Sequence, residues 1–183
     1  MIDWDGIPRP DRAGERRIEI PVLHAWWRAF GSSAVIEVGA VTPQYDDGPW
    51  WPVAHTIIDP RHEAGTFVPD PARHFAGRTV CTISTLEHIG RPDYGPAVPR
   101  EDDAVAGQAL LALVASRHYL LSWPVGYHPA LDRLANGAGL PGFTYVQRTP
   151  GVYEYVAGLD FDHQFGAPHY SANAVVFVTD WQP

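Results

Sequence analysis

The sequence predicts an α/β fold, in which a mostly parallel sheet is flanked by helices and ends in an antiparallel pair of strands. Apolar runs rich in Val, Ile and Thr lack strict alternation, which is typical of parallel strands covered on both faces. Helical patterns lie between several of these runs. The last two runs have no obvious helix between them, which favours an antiparallel pair at one edge of the sheet.

The amino-terminal region predicts an arm, a helix and a strand. Residues 1–15 are polar and contain Pro and Gly, so we expect a mobile arm. Pro21 suits the first position of a helix, apolar residues then recur at helical spacing, and Gly31 ends the helix. The first strand is predicted over residues 34–38.

Three further strands are predicted before residue 90, over residues 55–58, 66–68 and 79–84. The connection between the first two strands contains three prolines and Gly48. Because proline interrupts helices, this connection leaves little room for a crossover helix. We therefore expect an irregular crossover there.

The second half of the chain predicts two more helices and three more strands. Acidic residues favour the start of a helix, Pro its first position, and Gly its end. The predicted elements are a helix from Asp102 and Asp103 through Val114, a strand over 118–123, a short helix from Pro129 closed by Gly137, and strands over 143–148 and 174–179.

Length and composition indicate a single domain over residues 1–183. A chain of 183 residues, 45% of them hydrophobic, can bury one core. The formal charge is −8, whereas nucleic-acid backbones are bound by clustered basic residues, so no nucleic-acid partner is expected. No apolar run could cross a bilayer and no secretion signal is recognisable, so we expect a cytoplasmic protein that does not bind a membrane.

Three acidic residues lie at or just after the ends of predicted strands. They are Glu37, Asp59 and Glu87. The carboxyl ends of parallel strands border the crevice in which α/β sheets bind ligands. Asp59 also follows Gly39 at about the interval of an acid that binds a ribose. This pattern predicts a cofactor that contains adenosine.

Four segments carry a resemblance to a known family. They are residues 15–21 (ERRIEIP), 83–90 (ISTLEHIG), 124–127 (PVGY) and 171–174 (SANA). Together with the order of acidic strand ends, they resemble class I S-adenosylmethionine-dependent methyltransferases, and more narrowly a branch of small bacterial methyltransferase-like proteins. The resemblance spans about residues 15 to 180 and implies a Rossmann-like fold. It also implies methyl transfer to a small molecule, for which a sugar or a natural-product intermediate is our guess.

The resemblance assigns cofactor-binding roles to several residues. Glu37 and Gly39 would lie beside the methionine part of S-adenosylmethionine. Asp59 would accept hydrogen bonds from the ribose hydroxyls, and Asp70 would approach the adenine amino group. The segment Ser84-Thr85-Leu86 would form the floor under the reacting centre. A carboxylate that accepts two hydroxyl donors favours ribose over a sugar that lacks them.

The chain departs from the family pattern in the loop after the first strand. Class I enzymes usually repeat glycine there, but Val41 and Pro43 stand where two of those glycines would fall, and Gly39 remains. Val and Pro restrict the backbone, and Pro lacks an N–H donor. The alternative is therefore a non-methylating binding or accessory protein with the same fold.

Two pairs of residues are candidates for proton transfer. Methyl transfer mainly requires alignment of the acceptor and, for an O or N acceptor, removal of its proton. His88 is the first candidate base because imidazole titrates near neutrality, and Glu87 could orient it. Tyr127 and His128 form the second pair. The alternative is that Glu87 and His88 are structural and that the enzyme works by positioning alone.

Histidines and acids also suggest a metal-dependent hydrolase as a weaker alternative. The two possible ligand sets are Asp162, His163 and His169, and Asp59, His62 and Glu63. Neither set has the spacing of a structural zinc site, and no HExxH motif is present. We therefore expect surface or packing histidines and no metal. Cys81 lies within an apolar strand and is expected to be an inert core residue.

Overall fold

The computed structural model describes residues 14–30, 34–45, 55–58, 74–91, 103–166 and 172–183. These residues form an α/β fold with a seven-stranded mixed sheet flanked by helices. The helices are α1 (Arg16–Phe30), α2 (Asp103–Val114) and α3 (Pro129–Gly137). The strands are β1 (Val35–Val38), β2 (His55–Ile58), β3 (Thr79–Ile83), β4 (His118–Pro124), β5 (Gly142–Thr149), β6 (Val152–Ala157) and β7 (Ala174–Thr179). Short 3-10 helices, Thr42–Tyr45 and Leu86–His88, follow β1 and β3.

The strands lie in the order β2-β1-β3-β4-β7-β5-β6. The first four of these run parallel, whereas β7 is antiparallel to β4 and to β5, and β6 is antiparallel to β5. The register places Val38 beside Thr82 and Ile83 beside Ser122. The carboxyl ends of β1, β3 and β4 therefore meet at one end of the sheet, which we call the carboxyl end.

The chain changes direction in the sheet between β1 and β3. From β1 it passes to β2 on one side, and β3 then lies on the other side of β1. In open α/β sheets, connections that leave in opposite directions open a crevice at the carboxyl ends of the two strands, and ligands bind there. Gly39 and Ser84 directly follow the two strands and border this point.

Apolar clusters cover both faces of the sheet. One cluster packs β-strand residues against α1 and includes Leu23, Trp26, Cys81, Leu120 and Phe177. The other packs the opposite face against α2 and α3 and includes Val80, Leu110, Trp123, Leu131 and Val176. Successive strand residues belong to different clusters because their side chains point to opposite faces.

The first helix begins at Arg16, so the prediction that Pro21 opens it was wrong. Pro21 lies inside α1, where it has no N–H to donate to the preceding turn. The residues around it, Ile20, Val22 and Leu23, are almost completely buried. Burial of this face against the sheet outweighs the lost backbone hydrogen bond, since each such side chain contributes about 1.5–3 kcal/mol.

The two late strands pair antiparallel, but not at the edge of the sheet. β7 lies between β4 and β5 and is buried along its whole length. One edge of the sheet is formed by β6, which lies in sequence between the last two predicted strands and was not predicted as a strand. Gly151 has φ +77° and turns the chain from β5 into β6. The half-exposed pattern of β6 gave little strand signal, because an edge strand need not be apolar.

Some predicted features lie outside the described residues. They are most of the predicted arm, the strand at 66–68, Asp102 and most of the crossover after Tyr45. Within the described ranges, none of the helices combines the length and the apolar character needed to cross a bilayer.

Candidate functional site

Glu37 at the end of β1 is bound to the loop that follows it. The side chain is fully buried. Its Oε1 accepts hydrogen bonds from the backbone N–H groups of Val41 and Thr42, both at 2.9 Å. Its Oε2 accepts a hydrogen bond from the Thr42 hydroxyl. The Glu37 carboxylate therefore stabilises the turn after β1, and the amides of Val41 and Thr42 point towards it.

Gly39 is packed directly against Thr85. Its φ is +93°, a conformation that side chains disfavour. A Cβ atom at Gly39 would lie 2.2 Å from Thr85 Oγ1, so the position has no room for a side chain. Its N–H donates to the Ile58 carbonyl at 2.7 Å. Gly39 thus joins the ends of β1, β2 and β3, and the structure brings together two predicted cofactor residues.

The two residues that replace family glycines have different surroundings. Val41 is buried in the apolar cluster on the α1 face, whereas Pro43 is exposed. Since the amide of Val41 is held by Glu37 and Pro43 has no N–H, neither offers a backbone donor to a ligand.

Ser84 turns the chain away from β3 and binds a residue that sequence reasoning missed. Its φ is +38°, uncommon for a residue other than glycine. The Ser84 hydroxyl donates to Glu19 Oε1 at 2.7 Å, and the Ser122 hydroxyl donates to the same oxygen at 2.8 Å. The Ser84 amide also donates to the Ser122 carbonyl at 2.9 Å. Ser84 is therefore engaged with α1 and β4.

Glu19 is the centre of this hydrogen-bond network. It is fully buried on α1, and its Oε2 accepts a hydrogen bond from Arg16, one helical turn earlier. The only sequence signal was its position among apolar residues of the first helix, which would otherwise exclude a charged side chain. The remaining residues of the predicted floor differ: Thr85 is half-buried, and Leu86 is fully buried in the core.

Glu87 is a third buried carboxyl at the carboxyl end, after Glu37 and Glu19, and it is incompletely bonded. Its side chain is 1% exposed, and its Oε2 has no hydrogen-bond partner among the described residues. Its Oε1 lies 3.7 Å from His88 Nε2. Burial, followed by the negative charge of Glu19, raises the pKa of Glu87 well above its usual range.

Glu15 and Tyr153 border the same region. Burial and the Glu19 carboxylate raise the pKa of Glu15 above its ordinary value. Burial, with smaller effects of Glu15 and Glu19, raises the pKa of Tyr153 to about 12. The Tyr153 hydroxyl donates to the Ala172 carbonyl at 3.2 Å. Glu15, Glu19 and Tyr153 therefore lie close enough where α1 begins to influence one another's ionisation.

Three aromatic rings lie in a row beside Glu87. The rings of His88 and Tyr127 are 4.9 Å apart edge to face, and those of Tyr127 and Phe165 are 5.2 Å apart. The Arg91 guanidinium lies 5.6 Å from the centre of the Tyr127 ring and donates to the Tyr127 carbonyl at 3.3 Å. The structure thus brings His88 and Tyr127, one from each predicted pair, into contact.

His128 caps a helix. Its Nδ1 accepts a hydrogen bond from the Leu131 amide at 3.3 Å, at the start of α3. Burial, with the nearby Arg91 charge, lowers the pKa of His128. Since Nδ1 is the acceptor, the proton of the neutral ring is on Nε2, which lies 3.9 Å from Asp103 Oδ1. This tautomer cannot accept a proton at Nε2.

The segment between β4 and α3 is held by Asp132. Asp132 accepts hydrogen bonds from Trp123 Nε1 and from the Gly126 amide, both at 2.8 Å. Burial raises its pKa, and these two hydrogen bonds oppose the shift. Gly126 has φ +82°, and a Cβ atom there would lie 2.6 Å from the Phe165 amide. This packing fixes Tyr127 next to His88.

The two alternative metal-ligand sets receive no support from the described residues. The hydrogen-bond partner of His163 is Asp160 and not Asp162: the distance from His163 Nε2 to Asp160 Oδ2 is 3.0 Å. In the described ranges, no group of three His, Cys, Asp or Glu residues is arranged to hold a metal ion. Cys81 is a buried free thiol whose pKa is raised by burial. The predicted residues Asp59, His62, Glu63, Asp70 and His169 lie outside the described ranges.

Comparison with known proteins does not identify a family for this chain. No family model matches it. No curated protein and no solved structure matches it either.

Proposed function

We propose that this protein has a Rossmann-like fold, binds S-adenosylmethionine and transfers its methyl group to a small molecule. The observation that carries the proposal is the reversal of strand order between β1 and β3, because α/β sheets bind ligands at such a point. Gly39 lies there with φ +93° and is packed against Thr85, so the ends of β1 and β3 come together at this point. The motif over 83–90, which resembles the methyltransferases, borders the same point.

The residues at this point fit the cofactor in part. Gly39 and Thr85 would border the methionine part, whereas Glu37 and the amides of Val41 and Thr42 already bind one another. Bound S-adenosylmethionine would supply an electrophilic methyl group. The protein must then orient the acceptor and remove its proton.

His88 is the proposed proton acceptor. Its side chain is 16% exposed, and the residue lies shortly after Ser84, which borders the crevice. The contact with Tyr127 fixes the orientation of the His88 ring. Glu87 would orient the imidazole, since its carboxyl oxygen Oε1 lies 3.7 Å from His88 Nε2. His88 would take up the proton that a hydroxyl or amine acceptor releases when it is methylated.

A second candidate function is ligand binding without methyl transfer. The observation that favours it is the turn after β1, in which Glu37 occupies two backbone amides that could otherwise face a ligand. This protein would hold a small molecule or act as an accessory protein at the same end of the sheet.

Calorimetric titration with S-adenosylhomocysteine, the demethylated cofactor, tests the proposal. We expect one site with micromolar affinity. Asp59→Ala should weaken this binding by about 1–3 kcal/mol if Asp59 binds the ribose. Glu154→Gln, on the exposed face of β6, is the matched control and should bind as the wild type does. No heat at millimolar ligand would reject the cofactor and favour the second candidate.

A kinetic prediction concerns His88. We expect His88→Ala to keep its affinity for S-adenosylhomocysteine and to lower methyl transfer on the order of 10²-fold, the typical contribution of a general base. Transfer is measured as formation of S-adenosylhomocysteine with pools of sugars and phenols as acceptors. Equal turnover by the variant and the wild type would show that positioning alone is sufficient.

A further inference from the structure

Three carboxyl groups and one guanidinium converge at the carboxyl end on the α1 face. We call Glu15, Glu19, Glu87 and Arg16 the acid cluster. Glu19 is joined to the segment after β3 through the Ser84 hydroxyl, three residues before Glu87. The charges of Glu19, Arg16 and Glu15 all act on the Glu87 carboxyl, which places it within their reach. With all four groups charged, the cluster would carry an excess of negative charge.

Within the acid cluster, both carboxyl oxygens of Glu19 already accept hydrogen bonds. Its Oε1 accepts from two serine hydroxyls and its Oε2 accepts from Arg16. Arg16 is the single cation among the four groups, and its side chain is 20% exposed. The cluster therefore has one satisfied carboxylate and one cation to balance it.

Glu87 differs, because its buried Oε2 has no hydrogen-bond partner in the described part of the chain. A buried carboxyl without partners is costly, and it either takes up a proton or binds a donor. Glu19, Arg16 and Glu15 face it from α1 and the turn before it, and His88 is its neighbour on its own segment. The unused acceptor Oε2 of Glu87 thus lies in a region where Glu19 and Glu15 disfavour a further negative charge unless a cation enters.

We propose that the acid cluster binds a primary ammonium group of a small-molecule ligand, with Glu87 Oε2 as its main acceptor. An ammonium group has three N–H donors and one positive charge. It can therefore donate a hydrogen bond to Glu87 Oε2 and balance the charge of the Glu87 carboxylate. His88 beside Glu87 would contact the rest of the ligand. This inference does not depend on methyl transfer, although the ammonium could belong to the amino acid part of the proposed cofactor or to the acceptor.

Binding is coupled to release of a proton. In the free protein, burial and the Glu19 carboxylate raise the pKa of Glu87 and favour its neutral form. When the ammonium enters, Glu87 loses its proton to solvent and becomes a carboxylate, so the charge of the site is unchanged. No bond other than this O–H bond is broken. Affinity for the ammonium therefore rises with pH until Glu87 ionises without ligand.

Carboxyl-carbon NMR of the intact protein, labelled at glutamate Cδ, tests this inference with methylammonium as the minimal ligand. The Glu87 signal is assigned by its loss in Glu87→Gln. We expect methylammonium chloride to lower the apparent pKa of Glu87 by about one unit or more, relative to sodium chloride at equal ionic strength, because an opposite charge nearby favours the ionised form. The Glu154 signal, on an exposed residue, should not move.

Three outcomes would overturn the proposal. The first is a Glu87 titration that is the same in methylammonium and in sodium chloride. The second is an equal shift with tetramethylammonium, which has no N–H donor and would report general screening. The third is a larger shift with magnesium ions, which would make the cluster a metal site.

Two nucleosides then locate the source of the ammonium. S-adenosylhomocysteine contains an amino acid group, whereas 5′-methylthioadenosine lacks it. If only the first displaces methylammonium from Glu87, the ammonium belongs to the cofactor. If neither displaces it while S-adenosylhomocysteine still binds by calorimetry, the ammonium belongs to the acceptor. Absence of nucleoside binding, with methylammonium still bound, would reject the methyltransferase proposal and leave the ammonium site standing.

Discussion

Two buried carboxyl groups, Glu37 and Glu87, lie at the carboxyl end of the same parallel strands and are bonded very differently. Glu37 accepts hydrogen bonds from two backbone amides and one hydroxyl within five residues of itself. Glu87 keeps an oxygen without a partner in the described structure. A carboxylate after a parallel strand is therefore not by itself evidence of a ligand site, because its own loop can occupy it.

The local backbone explains the difference. After Glu37 the chain curls back, so that the amides of Val41 and Thr42 point at the carboxylate. After Glu87 the chain is in a 3-10 helix, and the neighbouring amides bind carbonyl groups instead. His88 N donates to the Thr85 carbonyl at 3.0 Å, and Ile89 N donates to the Leu86 carbonyl at 3.1 Å. Glu87 is thereby left with an acceptor for a partner from elsewhere.

The largest expected effect is at Glu37. Glu37→Ala would leave two buried amides and a hydroxyl without their acceptor, so we expect the free energy of unfolding to fall by about 3 kcal/mol. Urea denaturation followed by circular dichroism measures it. Glu37→Gln keeps one carbonyl oxygen and should lose less. A loss below about 0.5 kcal/mol for the alanine variant would show that the turn does not need this carboxylate.

The sequence predicted the α/β class, β1 to β5, β7 and the three helices, because apolar runs and helix signals are local. It did not predict β6, since an edge strand with half-exposed residues lacks a strong apolar pattern. It also placed helix α1 too late, because Pro21 is a signal for a first position and tertiary burial overrode it.

For the site, the sequence identified the strand ends but not the bonding of their side chains. The contact between His88 and Tyr127 joins two predicted pairs, whereas His128 became a helix cap. Glu19 was missed because its partners Ser84 and Ser122 are 65 and 103 residues away in the chain. Such partners depend on the folded topology and leave no local pattern.

A smaller effect is expected at Glu19, which joins α1 to Ser84 after β3 and to Ser122 in β4. Glu19→Gln keeps an oxygen for the serine hydroxyls but removes the charge that faces Arg16, so we expect a loss of about 2 kcal/mol in the free energy of unfolding. Removing this negative charge should also lower the pKa of Glu87 towards its ordinary value. Urea denaturation and carboxyl-carbon NMR measure the two effects.

The exposed pair between Arg148 and Glu154 is the matched control for Glu19. Glu154→Gln removes one charge from an ion pair in solvent, which should change stability by less than about 0.5 kcal/mol. If Glu19→Gln were equally mild and the pKa of Glu87 stayed where it is, the Glu19 network would not control its neighbour.

The smallest effect on the free energy of unfolding is expected for Glu87→Gln at low pH. At high pH we expect this variant to be more stable than the wild type, whereas the variants of Glu37 and Glu19 should be less stable. Because the pKa of Glu87 is raised in the folded state, the folded protein binds more protons than the unfolded chain above the ordinary glutamate pKa. Its stability should therefore fall as the pH rises from that value through the folded pKa. Glu87→Gln mimics the protonated acid, so it should match the wild type within about 0.5 kcal/mol near pH 4.

Above that pH the Glu87→Gln variant should become the more stable protein, with a difference that grows and then levels off. Urea denaturation of both proteins between pH 4 and pH 9 measures this difference. Glu37→Gln provides the contrast: it removes an accepted hydrogen bond, so it should be less stable than the wild type at neutral pH. If Glu87→Gln were also less stable there, Glu87 would have a bonded partner in the folded protein, and the distinction between the two carboxyl groups would be lost.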